Sequence, residues 1–279
     1  MMPKITLPKG FSEVEKTIVL DYLETIGVGQ DWARLVRTFN RLREAMVMIP
    51  GRGQRTFASI YTHLIDTHLM GPFIETLYQV DDVKASAVRL WASGAQQIVT
   101  LLCKAQLYSS DVPLTRLLLA YCLYWWEATA KGYAFEIEIF RDLEGRGIDF
   151  VAHDIRKSTE RFTPYDLQIA HFLGDIKTST YFLTLVSKTL VCDFYITRLW
   201  LSETRSRTLV VFLRSLMWDE IDGDTLLVAW QELENNPSQP VRIAHGSGEL
   251  VVADYELWKD KVRAYQTRQE GNNESAKNH

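Results

Sequence analysis

The chain predicts an α/β protein, with a helical N-terminal region followed by a mixed β-sheet core flanked by helices. Three observations carry this. Across residues 11–143 apolar side chains recur at three- and four-residue spacing, the period of a helix with one buried face. After Gly145 the texture changes to short alternating runs bounded by turn residues. Finally, 279 residues with 47% hydrophobic and 24% charged side chains can bury a sizeable core. The change of texture places a helical region at 1–130, an α/β domain at 131–268 and a flexible polar tail at 269–279.

In the first region, turn signals such as Pro50-Gly51-Arg52-Gly53 separate the helices. Ser109-Ser110-Asp111-Val112-Pro113 offers capping side chains and an early proline, so a helix starts there. It carries Trp125 and Trp126, which read as core aromatics because they sit among leucines at helical spacing. A further amphipathic helix covers 132–144. Strands are predicted at 148–155, 167–177, 194–201 and 209–216, and a helix at 225–233. A hairpin crosses His245-Gly246-Ser247-Gly248 and a closing helix spans 255–266. The last residues hold no large apolar side chain and cannot bury enough surface to offset their ordering.

Composition excludes several classes. The longest apolar run, 117–126, is too short to span a bilayer, and the N-terminus lacks a secretory signal, so a cytoplasmic protein without a membrane partner is expected. Cys103, Cys122 and Cys192 are odd in number and show no CxxC spacing; they read as reduced core thiols rather than a disulfide framework or a zinc site. The net charge of −4 gives no global attraction to nucleic acid. A local patch is the exception: Arg34, Arg37 and Arg41 recur at helical spacing and could hold phosphates, or form a solvated helix face.

The candidate chemistry lies in the second region. On the 132–144 helix, Glu136 falls on the apolar side with Tyr133, Ile139, Phe140 and Leu143, whereas Glu138 falls beside Arg141 and Asp142 on the polar side. A carboxylate aimed at the core is costly unless paired, hydrogen-bonded or near a metal. Two partners are at hand: Asp149, at the entrance of the 148–155 strand, and Asp175, which shares a strand face with Lys177. Acidic groups brought together with a lysine repel without a cation, and hard oxygen ligands suit magnesium or manganese. His153 and His171 share these strand faces and read as structural histidines.

Gly132-x-x-x-Glu136 on a helix, Gly147-Ile-Asp149 entering a strand and Gly174-Asp-Ile-Lys177 closing the next together resemble the PD-(D/E)XK nuclease superfamily, over about residues 131–180. Two positions depart from the pattern: Ile148 stands where proline precedes the first acid, and Asp175 where glutamate is commoner. The resemblance implies a restriction-endonuclease-like sheet. It implies that Asp149, Asp175 and the backbone carbonyl of Ile176 ligate Mg2+, with Mn2+ as a substitute. It implies that Lys177 orients or helps deprotonate the attacking water and that Glu136 supports the site. The expected activity is phosphodiester hydrolysis, in DNA rather than RNA because the superfamily acts mostly on DNA, by a homodimer or a chain recruited by a partner protein. Two other readings stay open: a nuclease fold kept as a non-catalytic scaffold or nucleic-acid-binding subunit, and a helical protein-interaction adaptor.

Overall fold

The computed structural model of the chain describes residues 3–25, 32–49, 51, 53–157, 159–161, 163–184, 190–199, 208–222, 227–233, 235 and 239–277. It is a mixed α/β protein whose chain divides into two compact units, 1–134 and 135–279. No helix among the described residues is long and apolar enough to cross a membrane.

The first unit is not wholly helical. Strands β1 (Lys4–Thr6), β2 (Met46–Ile49) and β3 (Gly53–Thr56) form an antiparallel sheet in that order. Strands of three and four residues are too short to show a period of two. The predicted turn joins β2 to β3, where Gly51 and Gly53 take φ of +75° and +82°, a backbone that glycine adopts without strain. The helices are α1 (Glu13–Glu24), opened by a capping box between Ser12 and Glu15, α2 (Trp32–Leu42), α3 (Phe57–Ile60) running on into a π-helical stretch over Tyr61–Met70, α4 (Gly71–Gln79), α5 (Val83–Lys104) and α6 (Pro113–Arg146). The two helices expected before and after residue 131 are one, because nothing between Glu127 and Gly132 interrupts the backbone ladder. Trp126 is buried over Gly94 and donates from Nε1 to the Trp91 carbonyl at 3.0 Å. Cys122 and Cys192 are buried thiols, but Cys103 on α5 is exposed, contrary to its assignment to the core.

In the second unit α6 stops at Gly147, which takes φ +70°; its N–H donates to the Glu144 carbonyl and that of Ile148 to Leu143, closing the last turn. The sheet that follows has eight strands in the order β4-β5-β6-β7-β8-β11-β10-β9. They are β4 (Val151–Ala152), β5 (Leu167–Ile169), β6 (Phe172–Lys177), β7 (Phe194–Leu199), β8 (Thr208–Arg214), β9 (Val228–Ala229), β10 (Val241–His245) and β11 (Gly248–Asp254). β6 pairs parallel with β7, and β9 with β10; the other neighbours are antiparallel. One face packs Phe172, Ile176, Phe194, Ile196 and Val211 against α6, α7 (Ser215–Asp222) and α8 (Tyr255–Lys277). The other gathers Tyr195, Leu199, Phe212 and Val252 with Phe182 from a 3-10 turn at Thr180–Thr184.

Four expectations change here. The stretch 167–177 is a hairpin rather than one strand. Ala170, at φ +52°, turns the chain without any glycine or asparagine to mark the place. The predicted strand at 148–155 pairs only at Val151–Ala152. In place of the helix predicted at 225–233 there is strand β9 and a single 3-10 turn over Trp230–Glu232, residues 225–226 lying outside the described set. The tail expected from 269 is helical as far as Lys277, because α8 continues through residues that are polar but mostly competent for helix. The predicted hairpin at 245–248 is present between β10 and β11. Residues 200–201, the end of another predicted strand, lie outside the described residues.

Gly174 is required by packing. It sits beside Phe194 in the parallel register, and a Cβ there would lie 2.1 Å from the Phe194 ring, itself lodged against Trp258. Gly174→Ala is therefore expected to destabilise the protein by about 1–3 kcal/mol. An unchanged midpoint in chemical denaturation would contradict this packing.

Candidate metal centre

Strand register builds the site. Leu167 and Ile169 of β5, like Phe172 and Ile176 of β6, face the helices, so Asp166, Asp175 and Lys177 fall on the opposite face. Asp166 lies opposite Asp175, its N–H donating to the Gly174 carbonyl at 2.9 Å, and His153 lies opposite Asp166, donating from its N–H to the Asp166 carbonyl at 3.0 Å. The register, extended one residue beyond β4 and β5, thus lines up His153 and Asp166 with Asp175 of β6. Glu136 joins them from α6, where it is 8% exposed, with Oε2 3.3 Å from His153 Nε2. Glu136, His153 and Asp166 each offer a ligand atom, all within 4.8 Å of one another.

The ring of His153 is fixed from behind. Nδ1 lies 2.7 Å from Thr163 Oγ1, which donates to the Tyr165 carbonyl at 2.7 Å. Nδ1 also lies 3.3 Å from the Tyr165 carbonyl, so the ring is held on that side with Nε2 toward the Glu136 carboxylate. Burial opposes charging of this imidazole, but the hydrogen bond to Glu136 and the charge of Asp166 outweigh it and hold its pKa above the ordinary value.

The carboxyls repel. Burial, then the hydrogen bond and charge of Asp166, push Asp175 up to about 7 against the pull of Lys177. Burial and the charge of Glu136 likewise raise Asp166, although it accepts from the N–H of Ile176 at 2.7 Å. Lys177 Nζ meets Asp175 Oδ2 at 2.6 Å while its side chain remains 41% exposed. Burial disfavours the ammonium, yet Asp175, Asp166 and Glu136 keep it charged and raise its pKa. The donor set fits a divalent ion, which would relieve this repulsion.

Of the residues singled out from the sequence, Glu136, Asp175, Ile176 and Lys177 come together. Asp149 does not join the cluster. It is exposed, and its backbone N–H and carbonyl are bonded to the Gln266 side chain at 3.1 and 2.7 Å. Because the chain there leaves the end of α6 unpaired, the first acidic position falls to Asp166. His153, read as structural, stands in the cluster, whereas His171 is exposed in the hairpin turn near Glu220. Glu138 is half-exposed and paired with Arg198 at 2.9 Å. Arg34, Arg37 and Arg41 are exposed on α2 in the first unit, with Arg37 bonded to the Ala33 carbonyl and Arg41 to Glu15, which offsets part of the patch's charge.

Comparison of the chain with family models, with curated proteins and with solved structures found no match in any of the three.

Proposed function

We propose that the second unit binds a divalent metal ion through Glu136, His153, Asp166 and Asp175 and hydrolyses phosphodiester bonds in nucleic acid, DNA before RNA. The observation that carries this is the convergence of Glu136, His153 and Asp166, whose ligand atoms lie within 4.8 Å of one another, with the Asp175–Lys177 pair beside Asp166. A bound ion would lower the pKa of its water and stabilise charge on the phosphate. Lys177 keeps its ammonium charged at the rim, where it can meet a phosphate oxygen or orient the attacking water. Thr163 holds the His153 ring from behind, so that Nε2 faces the cluster. The carbonyl of Ile176, between Asp175 and Lys177, is the further oxygen donor that the resemblance implies.

The imidazole revises the expected ion. Carboxylate oxygens alone suit magnesium, whereas an added nitrogen donor favours manganese over magnesium. Calorimetric titration of both ions, combined with a DNA cleavage assay, tests the reading. Wild type should bind manganese more tightly than magnesium and cleave with it. Glu136→Gln should lose roughly tenfold or more of the manganese affinity, with cleavage falling alongside. Glu138→Gln removes only a surface ion pair and should leave affinity unchanged, with stability altered by about 1 kcal/mol or less. Equal effects of the two substitutions on affinity would contradict the assignment of Glu136.

A further inference from the structure

We infer that Thr197 is a positioning residue for Lys177, its hydroxyl receiving the ammonium when Asp175 turns toward a cation; this rests on the metal-binding reading above. Thr197 is fully buried, and its Oγ1 has no hydrogen-bond partner among the described residues. A buried hydroxyl left unpaired costs about 1–3 kcal/mol, and a valine would fill the same volume without that loss. Such a group calls for a partner that the metal-free arrangement does not supply.

Register identifies the partner. β6 and β7 run parallel, with Lys177 beside Thr197 and Asp175 beside Tyr195. Ile176, Phe194 and Ile196 pack toward the helices, while Tyr195 and Leu199 pack on the opposite side, so strand alternation puts Thr197 on the face that carries Asp175 and Lys177. Adjacent strands lie about 4.8 Å apart, within the span of a lysine stem. Lys177 is bound to Asp175 Oδ2, the carboxylate a cation would draw on. Binding must then weaken that pair, and the ammonium needs another acceptor. The neighbouring Tyr195 hydroxyl is already engaged by the Cys192 N–H at 3.0 Å. Thr197 Oγ1 remains, and a neutral acceptor holds the ammonium in place without cancelling the charge that a phosphate would meet.

Manganese affinity of the whole chain, measured by calorimetry, tests this without reference to cleavage. Thr197→Val should weaken binding roughly tenfold, the worth of one hydrogen bond to a charged group, while the melting temperature stays equal or rises. Thr197→Ser should restore wild-type affinity. In a Lys177→Met background, Thr197→Val should have no further effect, because no ammonium is left to receive. Wild-type affinity in Thr197→Val, or an equal loss with and without Lys177, would overturn the role of Thr197 and leave the metal site standing. Absence of manganese binding by the wild type would overturn both.

Discussion

Asp166→Asn is expected to weaken manganese binding roughly a hundredfold or more, while Asp149→Asn leaves it at the wild-type value. Loss of a residue that merely supports a ligand costs about 10–100-fold, so loss of a direct carboxylate belongs at the upper end or beyond. Asp166 stands half-buried among Glu136, His153 and Asp175, and an asparagine can still accept from the Ile176 N–H, so the fold should survive the change. Asp149 is exposed and engages Gln266 only through its backbone, which an asparagine preserves. Calorimetry on both variants decides the matter. Loss of binding in Asp149→Asn with none in Asp166→Asn would return the site to the arrangement expected from the sequence.

The second large effect concerns stability without metal. Asp175 holds its proton to about pH 7 in the folded chain, against an ordinary carboxyl value of 3.8. Between those values the folded state keeps a proton that the unfolded state has released, so this group's contribution to stability falls as pH rises across the window. Above pH 7 the full penalty is present, on the order of 2–4 kcal/mol. Asp175→Asn removes it. At pH 8 the metal-free variant should melt on the order of 5 °C above wild type, and at pH 4 the two should coincide. Manganese should narrow that gap. A hundredfold excess over its dissociation constant stabilises wild type by about 2.7 kcal/mol, and the variant should gain much less. An unchanged or lower melting temperature for metal-free Asp175→Asn at pH 8 would contradict the electrostatic account.

What was legible in the sequence depended on whether local periodicity was enough. On a long helix it was. The spacing that turned Glu136 inward and Glu138 outward matches a residue 8% exposed and one half-exposed and paired with Arg198. The two-residue spacing of Asp175 and Lys177 was likewise enough to put them on one face, where they form an ion pair. Positions that depend on pairing between strands were not legible. Reading 167–177 as one strand hid the turn at Ala170, which no turn-forming residue announces, and so hid Asp166, which becomes Asp175's neighbour only when the hairpin folds back. His153 enters through its pairing with Asp166, a register no local pattern contains. Had the stretch been divided in two, antiparallel pairing would have set one acid opposite the other. The short strands of the first unit, and the helix carried beyond residue 269, escaped for a related reason: three residues show no period, and polar residues join a helix already anchored by Trp258 and Val262.

The claim that Glu136, His153, Asp166 and Asp175 hold a divalent cation is tested most directly by anomalous scattering from a crystal of the protein soaked in manganese. The account predicts a peak bounded by Glu136, His153 and Asp166 with an Asp175 oxygen among its ligands, and Lys177 withdrawn from its present contact with Asp175. A peak at Asp149, or none at a saturating concentration, would contradict it.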